Sequence, residues 1–116
     1  NMSSIRSFLQ AFNIIDDESM ASNITSLVTD IRTKDQICIH IVSDNTSAVG
    51  QWSVEASIDN LTWVPIEFSP IINNTLTGVD DDVMIDMKLL SFTYIRVVWT
   101  GSGVGTANVT ISAKGN

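Results

Sequence analysis

Residues 50–68 read G-Q-W-S-V-E-A-S-I-D-N-L-T-W-V-P-I-E-F, and their alternation decides the fold. Trp52, Val54, Ala56 and Ile58 alternate with Ser53, Glu55, Ser57 and Asp59, the period of two that sets one strand face in a core and the other in water. Asp59 and Asn60 mark a tight polar turn, because their short side chains bond nearby backbone and tolerate left-handed conformations. Beyond the turn, Trp63, Val64, Ile66 and Phe68 form a second apolar run interrupted by Pro65. Proline has no N–H for a ladder, so this strand is expected at a sheet edge or bulge. The register is left open by the loop length: a slip of one residue decides whether Trp63 shares a face with Trp52.

Working outward, the same period recurs. In residues 36–43, Ile37, Ile39 and Ile41 oppose Cys38, His40 and Val42. In residues 83–90, Val83, Ile85, Met87 and Leu89 alternate with Met84, Asp86, Lys88 and Leu90. Residues 92–100 put Phe92, Tyr94, Arg96 and Val98 on one face and Ile95, Val97 and Trp99 on the other. A glycine-rich turn at 101–105 leads to a last strand with Ala107, Val109, Ile111 and Ala113 inward. The β-branched residues of 23–32 predict one more strand. Residues 69–82 form a long polar connection, with a short extra strand near Ile71 and Ile72. Seven or eight short strands separated by turn signals imply an antiparallel β-sandwich, jelly-roll-like in organisation.

The N-terminal segment reads two ways. Ile5, Phe8, Leu9 and Phe12 fall at i, i+3, i+4 and i+7, one face of a short helix. Ser7, Asn13, Ile14 and Ile15 are poor helix formers and favour an extended arm. The polar break Asp16-Asp17-Glu18-Ser19 then divides the chain into an arm or short helix, 1–19, and a sandwich, 20–116. An apolar arm needs a surface to cover, which makes Ile5, Phe8, Leu9 and Phe12 candidate assembly contacts.

Composition narrows the function classes. A chain of 116 residues with 44% apolar content is expected to form a packed core. Its net charge of −7, with six scattered basic residues, argues against a nucleic-acid surface, which needs clustered Lys and Arg. No apolar run approaches the roughly 20 residues of a membrane-spanning helix, and no basic-then-apolar opening suggests a signal peptide. Cys38 is the one cysteine, so no internal disulfide forms.

No catalytic constellation stands out. Cys38 and His40 share a strand face among isoleucines, but no orienting carboxylate is evident from sequence, and both read as structural. The run Asp80-Asp81-Asp82 with Asp86 has oxygen ligands suited to Ca²⁺, yet its spacing follows no calcium loop and fits a solvated turn. No cofactor is expected. Trp52, Trp63, Tyr94 and Trp99 are the candidate platform for stacking a sugar, against the reading in which they fill a core or subunit interface. Arg96, in mid-strand, is expected to pair with Glu55 or Asp86, or to stack on Tyr94.

Two strand pairs carry a resemblance. The hairpin Val54-Glu55-Ala56-Ser57-Ile58-Asp59 with Trp63 has the form V-E-x-S-x-D-x-x-x-W. The closing pair, Tyr94-Ile95-Arg96-Val97-Val98-Trp99-Thr100 followed by Gly103, Gly105 and Val109, has the form Y-I-R-V-x-W-T…G-x-G-x-x-x-V. Together, over roughly residues 20–115, they resemble small β-sandwich structural proteins of tailed-bacteriophage particles. Where that group often has Asp-Gly in the turn, this chain has Asp59-Asn60. The resemblance implies a non-enzymatic virion component of head, neck or tail. It would associate with other virion proteins and with copies of itself, with no nucleic-acid or membrane partner. The alternative is a carbohydrate-binding or adhesin-type sandwich with a glycan ligand.

Overall fold

A computed structural model of the chain describes residues 8–44, 47–66, 75–77, 81–88 and 91–115; of these, residues 8, 9, 75–77 and 81 are described by backbone alone. The strands are β1 (Phe8–Ser19), β2 (Ile24–Thr25), β3 (Thr29–Asp30), β4 (Gln36–Asp44), β5 (Val49–Ser57), β6 (Val64–Pro65), β7 (Thr75–Thr77), β8 (Asp81–Lys88), β9 (Tyr94–Ser102) and β10 (Thr106–Gly115). One sheet runs β1-β10-β4-β8. The other runs β2-β9-β5-β6, with β3 also on β9 and β7 also on β5. Because β2 and β3 share one flank of β9, and β6 and β7 one flank of β5, each sheet has four strand positions. All pairings are antiparallel, and the chain alternates between sheets as a jelly roll does.

The alternations place the core as expected. Ile37, Ile39 and Ile41 of β4, Ala107, Val109, Ile111 and Ala113 of β10, and Ile85 and Met87 of β8 face inward from the first sheet. Trp52, Val54 and Ala56 of β5 and Ile95, Val97 and Trp99 of β9 face them from the second. Trp52 and Trp99 are cross-strand partners. Their rings lie 5.3 Å apart, tilted by 46°, a geometry that adds about 0.5–1.5 kcal/mol to simple burial. The Trp99 indole lies over Gly50 and Gly101, which face each other across β5 and β9. A Cβ on Gly50 would come within 2.7 Å of the ring, and one on Gly101 within 2.5 Å, so no larger residue fits there.

The N-terminal segment is a strand over its described part. Of the two readings, helix or extended arm, the described part takes the extended one: residues 8–19 pair with β10 and form no helix around Phe8, Leu9 and Phe12; Ile5 lies outside the described residues. The edge of β10 offers a row of backbone partners that outweighs weak helical spacing. Phe8, Leu9 and Phe12 lie in the uninterrupted first half of the strand, and two bulges follow them. The first places Asn13, Ile14 and Ile15 against Thr110 and Val109, so Ile14 and Ile15 are both buried although consecutive. Asn13 Nδ2 closes it by donating to the carbonyls of Ile15 at 3.0 Å and Val109 at 3.2 Å. The second fits Asp16 and Asp17 beside Asn108. There Asp17, at φ 50°, donates its N–H to Asn108 Oδ1 at 2.9 Å. The polar run expected as a break is thus the bulged end of the strand.

One other expectation is corrected. Residues 23–32 form two short strands, interrupted where Ser26 replaces the ladder with its side chain. The Val97 N–H donates to Ser26 Oγ at 2.8 Å, and Ser26 Oγ–H donates to the Leu27 carbonyl at 2.8 Å. Among the described residues, the second strand of the opening hairpin comprises Val64 and Pro65, paired with Ala56 and Glu55 at the sheet edge where the missing proline N–H put it; Glu67 and Phe68 lie outside the described residues. The turn between is set by Asn60 at φ 61°, and Asp59 Oδ1 accepts from the N–H groups of Leu61 and Thr62, both at 2.9 Å. The extra strand expected near Ile71 and Ile72 lies outside the described residues.

Candidate functional site

On the outward face of β5 and β9, Glu55 and Arg96 are direct cross-strand partners. Arg96 Nε donates to Glu55 Oε1 at 2.7 Å, and both side chains are three-quarters or more shielded from solvent. The Arg96 guanidinium sits 4.2 Å from the centre of the Trp63 ring. Trp63 therefore lies on the outer face, opposite Trp52, which settles the register left open by the sequence. Two residues earlier on β9, Tyr94 carries the Arg32 guanidinium 5.9 Å above its ring, and Arg32 also donates to the Tyr94 hydroxyl at 3.2 Å. Arg32 further clasps Asp30 at 2.7–3.1 Å. That side-chain bond, with the Arg32 backbone N–H, holds the Asp30 carboxyl below its ordinary pKa and raises that of Arg32. The outer face thus carries two aromatic–guanidinium pairs side by side. Arg96 finds Glu55 as expected, but stacks on Trp63 and not on Tyr94.

This arrangement divides the four candidate platform residues. Trp52 and Trp99 are 1% and 0% exposed, so neither ring can meet a ligand. Trp63 and Tyr94 remain at the surface, each with a guanidinium against its ring.

On the outer face of the other sheet, His40 Nε2 contacts Asp82 Oδ1, a carboxylate that the sequence alone did not bring to it. Cys38 lies two residues away, half-buried, beside a cleft of about 210 Å³ lined by Gln36, Asp86, Ser112 and Lys114. Burial pushes the Cys38 thiol pKa up, and the nearby Asp86 charge pushes it further. A thiol so placed stays protonated at neutral pH and is a weak nucleophile. Among the described residues, no three or more His, Cys, Asp or Glu side chains converge to hold a metal ion. Asp80 lies outside those residues, and Asp81 is described by backbone only.

The surface is more apolar than the strand patterns foretold. Leu27, Val28, Ile58, Leu61 and Val64 are exposed. Leu27 and Val28 border a cleft of about 370 Å³ between β1 and β3 that also touches Phe12 and Ile14. Ile58, Val64 and Phe92 line a second, of about 340 Å³, beside the Asp59 turn. Of the expected assembly residues, Phe12 packs partly on the core and borders the first cleft, Phe8 and Leu9 sit on β1, and Ile5 lies outside the description. Leu27 and Val28 were missed because a β-branched run reads as strand; their exposure follows from the break at Ser26.

No protein-family model and no curated protein sequence matches the chain. Solved structures resemble it in fold. An SPBc2 prophage-derived protein, YomS, superposes with a TM-score of 0.73 at 9% identity, over 94% of this chain and 95% of that one. A protein of the disulfide-linked pili that form Bacillus endospore appendages gives 0.52 at 10% identity, over 96% and 92%. A chain from the infectious bursal disease virus Gx strain gives 0.52 at 13% identity, over 95% of this chain and 33% of that one. At such identities the likeness is one of fold.

Proposed function

We propose that the chain is a non-enzymatic structural component of a bacteriophage particle, in head, neck or tail, and that it works by binding copies of itself and other virion proteins. The observation that carries this reading is the pair of apolar clefts on opposite flanks of the sandwich, bordered by Leu27 and Val28 on one side and by Ile58 and Val64 on the other. Exposed apolar groups gathered around concave surface mark interaction sites in soluble proteins. The jelly-roll topology and the likeness to a prophage-derived protein over nearly the whole of both chains support the same reading. The outer face of the first sheet supports it too: the Cys38 thiol beside the His40–Asp82 pair is held protonated by burial and the Asp86 charge, which makes it a weak nucleophile. The glycan-binding alternative keeps only Trp63 and Tyr94, whose rings already carry arginines.

Light scattering after size exclusion, at several protein concentrations, tests the proposal. A defined oligomer whose mass falls on Leu27→Asp/Val28→Asp substitution is the expected result. A strict monomer up to millimolar concentration overturns it.

A further inference from the structure

β8 closes one side of the first sheet, and among the described residues only β4 pairs with it. The other described edges are broken up. β1 is bulged twice, and its Ile14 carbonyl accepts the Leu27 N–H at 3.1 Å. β2, β3, β6 and β7 are two or three residues long. β8 runs eight residues with no proline and no shift of register against β4, so its far side offers another strand a continuous row of backbone donors and acceptors. Its side chains alternate cleanly. Val83, Ile85 and Met87 turn toward the core, and Asp82, Met84, Asp86 and Lys88 turn outward. Met84 is 64% exposed, and Lys88 makes no ion pair among the described residues.

We infer that two copies of this chain pair β8 against β8, antiparallel about a two-fold axis at Ile85, and so join their first sheets into one continuous sheet. An axis perpendicular to the sheet keeps both core faces on the same side, and only registers that oppose residues of the same face then fit. With Ile85 opposite itself, Asp82 faces the partner's Lys88, and Lys88 faces the partner's Asp82. Val83 meets the partner's Met87 on the core side, and Met84 meets the partner's Asp86 outside. The acids of the two copies approach each other only on the diagonals, at about 7–8 Å. Sliding the strands by two residues one way sets Asp82 opposite Asp86 twice, and sliding them the other way sets Asp86 opposite itself. Like charges directly opposite destabilise a strand pair, so the sequence of charges along β8 selects the Ile85 register and rejects its neighbours. The inference rests on the assembly reading above and adds a contact on the sheet edge remote from the β1–β3 cleft.

Positions 82 and 88, both exposed, test it. Along one strand they lie about 20 Å apart, too far for a disulfide, whereas across the contact they are directly opposite, at about 4.5–5.5 Å between Cα atoms. Asp82→Cys/Lys88→Cys on a Cys38→Ser background is expected to oxidise to a dimer joined between positions 82 and 88, read by peptide mass spectrometry. By light scattering at about 0.15 M salt, Lys88→Asp is expected to self-associate at least tenfold more weakly than wild type. Asp82→Lys/Lys88→Asp, which reverses both pairs, is expected to regain the association; circular dichroism checks that the sheets persist. A cysteine variant that stays monomeric on oxidation, or a reversed pair that associates no better than Lys88→Asp, overturns the β8 contact. An oligomer that ignores Lys88→Asp but weakens with Leu27→Asp/Val28→Asp overturns it while leaving the assembly reading intact. A wild-type chain that stays monomeric throughout overturns both.

Discussion

The indole N–H of Trp99 donates to the backbone carbonyl of Met20 at 3.0 Å in the core, while its cross-strand neighbour Trp52, equally buried, leaves its indole N–H without a partner among the described residues. Two tryptophans in one packed pair thus have different electrostatic situations. The bond fastens the β1–β2 connection to β9, and Met20 is itself held by its N–H donating to the Gly105 carbonyl at 3.0 Å.

Trp99→Phe is therefore expected to cost about 1–3 kcal/mol more than Trp52→Phe. The first leaves the Met20 carbonyl buried and unpaired, whereas the second removes a donor that had no partner. Urea unfolding of the two variants measures the difference directly. Equal losses would show that volume alone governs the pair.

Ser26→Ala is expected to destabilise by about 1–3 kcal/mol, because the buried Val97 N–H loses its acceptor. The loss appears as a lower denaturation midpoint with unchanged slope. A change under about 0.5 kcal/mol would mean that the backbone relaxes into a continuous ladder.

Asp59 gives the fold a pH dependence. Backbone N–H groups of Thr62 and then Leu61, followed by the Ser57 hydroxyl, bond its carboxylate and hold its pKa below the ordinary value. A carboxyl depressed in the folded state stabilises above its unfolded pKa of roughly 3.9 and loses that contribution as pH falls through the folded value. Asp59→Asn keeps an acceptor oxygen but does not titrate. Its denaturation midpoint is expected to fall less steeply than wild type between about pH 5 and pH 2. Parallel curves would contradict the role of the turn.

Trp63 is the tryptophan that a solute can reach. Acrylamide is expected to quench one emitting population, and Trp63→Phe to abolish nearly all of it, because Trp52 and Trp99 are sealed. Arg96→Ala uncovers the ring and is expected to raise the quenching constant, while costing about 1 kcal/mol through the lost cation–π and ion-pair contacts. Unchanged quenching in Trp63→Phe would place the accessible ring elsewhere.

Strands with one clean alternation were legible from sequence. β4, β9 and β10 bury the residues their patterns assign, Asn60 takes the left-handed conformation its turn position suggests, and Pro65 lies on an edge. What misled was local irregularity. Phe8, Leu9 and Phe12 fall at helical spacing although residues 8–13 pair with β10 without a break, and the bulges at Ile14 and Asp16–Asp17 disrupt the period beyond them. Ser26 swaps a backbone bond for a side-chain bond, splitting one apparent strand into two and exposing Leu27. The candidate surface was less legible still. The partition of the tryptophans depends on register across a turn, and the grouping of Asp16, Glu18, Asp44 and Asp81 becomes visible only once residues distant in sequence share neighbouring rows.

Zero-length carbodiimide coupling of carboxylates to lysines, read by mass spectrometry on the native chain, tests self-association most directly. The expected result is coupled species of two or more copies, depleted by the Leu27→Asp/Val28→Asp substitution at the exposed cleft rim. A chain that stays monomeric on coupling, with links only between neighbours in the same copy, would contradict assembly through these clefts.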